Sequence, residues 1–167
     1  MIKTLSILFL LSLSACGFSP VYGTYSAKNN VNVQTQLNQI EIATIADKSG
    51  IDLRNSLLDK LYAGIPAATP QYKLETKQQP EIIVDSGIAR DATTTREQMT
   101  LKVIITLTEI ETGETLINRE FKAITNYNIL ASEYATLIAR QDARKRGLSQ
   151  IAEDIVTQFS LYFAGQP

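Results

Sequence analysis

The residues able to do chemistry in this chain are few. Its 167 residues hold no His and a single Cys, Cys16. Without an imidazole base, neither a Ser-His-Asp nor a Cys-His site can be assembled. A zinc site would have to rest on carboxylates alone, against that metal's preference for nitrogen and sulfur. Glu109 and Glu111 stand two apart on a predicted strand, a spacing that invites comparison with a glycosidase carboxylate pair. Gly113 follows directly, so the pair sits at a hairpin tip, where a solvated turn accounts for it better. The residues offer no catalytic constellation, no metal ligand set and no cofactor motif. Cations are the second kind of candidate. Arg140, Arg144, Lys145 and Arg146 form the densest basic cluster. They could meet phosphates or the carboxylates of a partner; a solvated helix face, with Asp142 and Arg146 paired at i,i+4, is the simpler reading. Arg90 and Arg96 flank a polar, hydroxyl-rich loop over 91–95, suited either to an anionic sugar-phosphate or to a plain surface. The net charge is −1, without the basic excess of a nucleic-acid-binding chain.

The most specific chemistry lies at the N-terminus. Lys3 precedes an apolar run from Leu5 to Leu13, far short of the ~20 residues that anchor a helix across a bilayer. Ser14 and Ala15 are small, as signal peptidases require. Leu13-Ser14-Ala15-Cys16 then matches the lipobox of exported bacterial lipoproteins in residue type, order and position. Such a cysteine receives a thioether-linked diacylglycerol and an N-acyl chain such as palmitate. At ~0.8 kcal/mol per buried methylene, more than one acyl chain makes anchoring stable. The expectation is a signal peptide over 1–15, lipid on Cys16 and a tether over 16–36, rich in Gly, Pro, Asn and Gln. Gly17 after the cysteine is compatible with the outer membrane. Without Lys3 the mature chain keeps 15 basic against 17 acidic residues.

These sites must be positioned by whatever 37–167 folds into, a length suited to one domain. Ile40 and Ile42 alternate with polar neighbours, predicting a strand over 38–45. Asp47 or Ser49 can cap a helix over 51–62 with the stripe Leu53, Leu57, Leu58 and Leu61, and Gly64 suits its end. Tyr72, Leu74 and Thr76 alternate with Lys73, Glu75 and Lys77. Pro80 interrupts, so a continuation through Ile82 and Val84 must be an edge or a bulged strand. The longest strand signal follows over 94–111, with Leu101, Val103, Ile105 and Leu107 facing one way. Thr112-Gly113-Glu114 turns it into a partner over 115–125. Ser132 then caps a long helix whose stripe runs through Tyr134, Leu137, Leu148, Ile151, Ile155, Phe159 and Tyr162. Its polar middle, Arg140 to Gly147, suggests a bend. The order β-α-β-β-β-α predicts an α+β domain, two helices packed on one face of a four-stranded mixed or antiparallel sheet. The expected core is Ile40, Ile42, Leu57, Leu61, Leu74, Leu101, Val103, Ile105, Ile117, Phe121, Ile151, Ile155 and Phe159.

With lipobox and element order in place, the chain resembles the LptE family of lipopolysaccharide-assembly lipoproteins in its alphaproteobacterial form. Cys16-Gly17-Phe18-Ser19-Pro20-Val21-Tyr22-Gly23 is similar to the Cys-Gly-Phe-x-Pro-Leu-Tyr-Gly opening of that group. Gly50 to Leu61, Thr112-Gly113-Glu114 and Ser132 to Ile155 resemble its first helix, hairpin turn and last helix. The resemblance implies two helices on a four-stranded sheet. It also implies a non-enzymatic role on the periplasmic face of the outer membrane, as a plug inside the β-barrel LptD that together with it places lipopolysaccharide in the outer leaflet. Lipopolysaccharide phosphates or acidic lumen residues would then be what Arg90, Arg96, Arg140, Arg144, Lys145 and Arg146 meet. The competing reading is a free-standing periplasmic lipid- or ligand-binding lipoprotein, or an auxiliary subunit of an ABC transport system. That role needs an apolar cavity sized for its ligand, whereas a plug needs a polar exterior.

Overall fold

The structure, a computed structural model, describes residues 29–45, 48–62, 64, 66–88 and 94–165. The expectations for the signal peptide, for Cys16, for the tether up to residue 28 and for Arg90 lie outside the described residues.

Strand β4 (Thr94–Glu109) is the spine of the sheet. Its β-branched and alternating sequence suits a pleated surface buried on one side: Met99, Leu101, Val103, Ile105 and Leu107 are buried in the core. Along one edge β4 pairs antiparallel with β5 (Thr115–Asn128), from Thr108↔Thr115 to Arg96↔Asn128. The turn between them uses Gly113 at φ 72, a conformation open to glycine and strained for residues with a Cβ. Along the other edge lie β2 (Tyr72–Gln78) and β3 (Ile82–Ile88), one after the other and both antiparallel to β4. From Gln78↔Val103 to Ile82↔Thr100 the first strand advances four residues against three, and the Gln79 N–H still donates to the Lys102 carbonyl at 2.9 Å. Pro80, which has no N–H to give, sits in that slip. β2 and β3 are thus one bulged strand, as the interruption at Pro80 predicted. Short β1 (Ile40–Ile42) pairs parallel with β2 and makes the sheet mixed.

Helices α1 (Asn29–Asn38), α2 (Lys48–Leu61) and α3 (Glu133–Ala164) pack on the face that carries the buried side chains. The α+β class with helices on one face of a mixed sheet therefore holds. α1 is an addition, and it lies partly in the stretch expected to be tether. Val33 and Leu37, one turn apart in a polar run, bury their side chains in the core, and Gln34 Nε2 donates to the Leu61 carbonyl at 3.0 Å. α2 runs parallel to α3: Lys60 pairs with Glu153 at 3.6 Å near one end, and Asp52 shares a cleft with Arg144 and Lys145 at the other.

α3 is capped by Ser132, whose hydroxyl accepts from the Ala135 N–H, and it runs unbroken through its polar middle. Gly147 lets the helix lie close on the sheet. A Cβ there would stand 2.6 Å from Leu101 Cδ1 and 3.3 Å from Thr125 Cγ2. The expected core is buried except for Ile117 and Phe121, which pack against it half-buried from the edge strand β5. Tyr134 and Leu137 continue the α3 stripe but are 73% and 48% exposed. The helix outruns what it packs on, and its first buried side chain is Ala143.

Among the described residues no helix covers the sheet's other face. Lys73–Glu75 and Lys102–Glu120 pair there at 2.7 and 3.3 Å, among threonines, with Ile82, Val84 and Ile124 exposed near the β3 end.

Candidate functional site

Five of the six arginines and lysines singled out by sequence are described, and they gather at one end of the molecule, around the N-terminal half of α3. They do not behave as one patch. Arg140 reaches down to the sheet. Its Nε donates to the Tyr127 hydroxyl at 2.7 Å and its Nη2 to Glu97 Oε2 at 3.2 Å, while the Tyr127 hydroxyl donates to the same carboxylate. The bond to Tyr127, joined by that to Glu97, holds the Arg140 pKa above the ordinary guanidinium value. Burial, then the bond to Glu97, raises that of Tyr127, with Arg140 pulling the other way. Arg144 grips Glu81, at the β2–β3 slip, with two parallel bonds: Nη2 to Oε2 at 2.7 Å, and Nε to Oε1. Such forked pairs are the stronger kind, and here both partners are about three-quarters buried. These two arginines fasten α3 to the sheet.

The remaining three face solvent. Arg146 pairs with Asp142 one turn away, as the i,i+4 spacing predicted, and its Nη2 donates to the Asn126 carbonyl at 3.3 Å. Arg96 Nε donates to Asn128 Oδ1 at 3.3 Å. Arg96 and Arg146 line one open cleft of about 520 Å³ with Asn126, Asn128, Leu130 and Asp142. Lys145 is exposed and makes no ion pair among the described residues; it lines a second open cleft of about 340 Å³ with Asp52, Ile138 and Arg144. The first cleft brings together two guanidinium groups and two side-chain amides, all N–H donors, beside one carboxylate. Its chemistry suits an anionic oxygen-rich group such as a phosphate or a partner's carboxylate.

The partners Glu81, Glu97 and Tyr127 were not singled out by sequence. For two of them a signal exists. In β4 the odd-numbered positions point to the core, so Glu97 is a carboxylate on the inward face and calls for a cation or a hydroxyl. Tyr127 occupies the same parity in β5, two steps beyond the end assigned to that strand from sequence.

No curated protein matches the chain. The profile of the lipopolysaccharide-assembly family LptE matches residues 37–159. Among solved structures, a candidate lipoprotein from Caulobacter crescentus CB15 aligns over 81% of this chain and 98% of its own, with a TM-score of 0.68 at 20% identity. A minor lipoprotein from Acinetobacter baumannii covers 73% of this chain and 88% of its own, with a TM-score of 0.54 at 19% identity. Rare lipoprotein B from Shewanella oneidensis covers 71% and 89%, with a TM-score of 0.50 at 10% identity. At such identities the structural likeness speaks for the fold alone. The sequence match reaches from the end of α1 to within two turns of the end of α3, and on that ground the chain belongs to the LptE family of lipopolysaccharide-assembly proteins.

Proposed function

We propose that this chain is an outer-membrane lipoprotein that plugs and assembles the β-barrel LptD, so that the pair can insert lipopolysaccharide into the outer leaflet. In this reading residues 1–15 are removed on export, Cys16 carries diacylglycerol and an N-acyl chain such as palmitate, and the domain sits on the periplasmic side of the outer membrane, held by that lipid. Its work is binding and positioning, with no catalysis. The family match over the folded domain carries the proposal.

The surface chemistry supports it. The lumen of a β-barrel is largely polar, and the sheet face that no described helix covers offers the Lys73–Glu75 and Lys102–Glu120 pairs among threonines, with Ile82, Val84 and Ile124 exposed towards one end. The clefts beside α3 are open to solvent, unlike the enclosed apolar cavity that a free-standing lipid carrier needs. Of the described cations singled out by sequence, Arg96, Lys145 and Arg146 face solvent and are available for lipopolysaccharide phosphates or acidic groups of the barrel. Arg140 and Arg144 serve that contact only by holding α3 in place. The test is depletion of the protein, followed by measurement of LptD maturation and of surface lipopolysaccharide. Both should fall together. Normal barrel assembly with normal surface lipopolysaccharide would overturn the proposal in favour of an independent binding lipoprotein.

A further inference from the structure

The two edges of the sheet are treated differently. Along one, β1 covers the start of β2, and β3 follows Pro80 and shifts register between Asp85 and Gly87 and again between Gly87 and Ile88. Prolines and bulges keep an edge from adding further strands. The other edge is β5, and it has neither defence over most of its length. From Ile117 to Asn128 it keeps one register against β4, without a proline, and among the described residues no strand pairs with its outer side. The Ile129 N–H donates to the Thr95 carbonyl at 3.0 Å, which sets the alternation of the ladder. Odd-numbered residues of β5 exchange bonds with β4, and even-numbered ones turn N–H and C=O away from it. The Asn126 carbonyl, one of the latter, accepts from Arg146 instead. Asn118, Glu120, Lys122 and Ile124 thus present main-chain donors and acceptors outwards, and their side chains are exposed.

Charge says which strand fits. Lys122 stands directly opposite Lys102 on β4. The pair is of the non-hydrogen-bonded kind, with Cα atoms only ~4.5 Å apart, where like charges repel. Glu120 serves Lys102 at 3.3 Å, while Lys122 makes no ion pair among the described residues. It calls for a carboxylate beyond the edge. A second copy of this chain, running antiparallel and centred on Phe121, supplies one. Glu120 of each copy then lies opposite Lys122 of the other, and the half-buried Phe121 lies opposite its counterpart, a favourable aromatic pair. The main chain asks for the same register. Glu120 and Lys122 both bond outwards, so they form a hydrogen-bonded pair, and the overlap from Ile117 to Thr125 makes about eight N–H···O=C bonds. Charges on an edge repel most strands. These two, opposite in sign and two apart, admit their own copy in one register: a slip of two residues sets Lys122 against Lys122 or Glu120 against Glu120.

We infer that the outer edge of β5 is a homodimer interface, at which two copies join antiparallel about Phe121 into one continuous sheet. The inference does not rest on the plug reading. Under that reading the pair is the form of the chain before a barrel encloses it.

The experiment uses the full lipidated chain, purified in detergent without its barrel. With Cys16 lipidated, an introduced cysteine is the sole thiol. Under mild oxidation Phe121→Cys should convert most of the chain to a disulfide-linked dimer, because a non-hydrogen-bonded antiparallel pair holds its Cα atoms within disulfide reach. Asn126→Cys, further along the same strand, should give at least tenfold less. Replacing the half-buried Phe121 can itself cost stability, so a second set of variants leaves it in place. Lys122→Glu should weaken dimerisation at least tenfold in analytical ultracentrifugation, and adding Glu120→Lys should restore it to within a few-fold. A wild-type chain that sediments as a monomer at every concentration overturns the inference. Equal crosslinking at positions 121 and 126, undiminished dimerisation of Lys122→Glu, or no recovery in the double variant overturns it too. A crosslink from position 121 to a different protein does the same. None of these outcomes touches the plug reading, which depletion of the protein tests.

Discussion

Arg144 on α3 and Glu81 at the β2–β3 slip, 63 residues apart in sequence, meet in a forked ion pair that is about three-quarters buried on both sides. The slip at Pro80 gives the sheet a break in its edge, and the pair closes that break onto the helix. Breaking a partly buried pair leaves one charge uncompensated, which costs more than the pair contributes when whole. Arg144→Met should therefore destabilise the domain by roughly 2–3 kcal/mol, and Glu81→Gln by a similar amount. The double variant should lose much less than the two singles added together. Urea unfolding of all four proteins gives the coupling directly; additive losses would mean that the two groups do not interact.

The solvent-facing cations should respond differently. Arg96→Glu and Lys145→Glu touch no buried partner, so each should change stability by no more than about 0.5 kcal/mol. Arg140→Glu would set a carboxylate beside Glu97 and remove a donor from Tyr127, at a cost of roughly 2–4 kcal/mol. Equal effects from all three reversals would contradict the division of this cluster into fastening and free members.

Alkaline pH should weaken the fold through its tyrosines. Burial raises the pKa of Tyr62, Tyr72 and Tyr127 above the ordinary 10.0. Above that value the unfolded chain gives up these protons first, so the folded state binds more protons and stability falls as pH rises. Their contribution is intact below pH 10 and is lost towards the raised folded values, at no more than about 1.4 kcal/mol per pH unit for each group. Denaturant unfolding at pH 8 and pH 10.5 measures the fall. Tyr127→Phe should be less stable at pH 8 and show a shallower drop; an unaltered slope would remove Tyr127 from the account.

Gly147 tests how closely α3 lies on the sheet. Alanine is the better helix former by about 1 kcal/mol, yet its methyl would stand 2.6 Å from Leu101 Cδ1. Leu101 is buried in a close-packed core, and overpacking costs roughly 1–3 kcal/mol. Gly147→Ala should therefore be destabilising by about 1–2 kcal/mol, and adding Leu101→Val should recover part of the loss. A gain in thermal midpoint from Gly147→Ala alone would show that Leu101 can move aside.

Cys16→Ala should leave the precursor without lipid and free the chain from the membrane pellet. Mass spectrometry of the wild-type N-terminus checks the premise, since an unmodified mature Cys16 would contradict it.

Much of this architecture was legible because burial on one side of a sheet writes itself at period two. Leu101 to Leu107 announced β4 and its inward face, and Pro80 announced the slip. α1 was not legible, because Val33 and Leu37 are two apolar residues in a run of Asn, Gln and Thr, and composition there speaks for a linker. Tyr134 and Leu137 lie on the stripe read from the sequence, yet they are exposed. Periodicity reports the angle of a side chain about the helix axis and says nothing of whether another element stands opposite. The arginines were visible as a cluster, but their division was not. Glu97 and Glu81 lie 43 and 63 residues from Arg140 and Arg144, and only the strand topology brings them within reach.

The packing of α1 and α2 against α3 sets a timetable. A chain exported N-terminus first delivers α1, β1 and α2 long before α3, the last element among the described residues. Until then Leu37, Leu53, Leu57 and Leu61 lack the cover of α3, and β1 must await β2 for its parallel pairing. The β4–β5 hairpin closes locally through the Gly113 turn, whereas the helical layer is assembled from the two ends of the chain, a slow kind of closure. In the proposed reading, with Cys16 lipidated, the interval leaves a strip of leucines open to water on a chain held by one end at a membrane. Folding yield on export should therefore depend on a holding chaperone during the time it takes to translocate the 103 residues from the end of α2 to the end of α3.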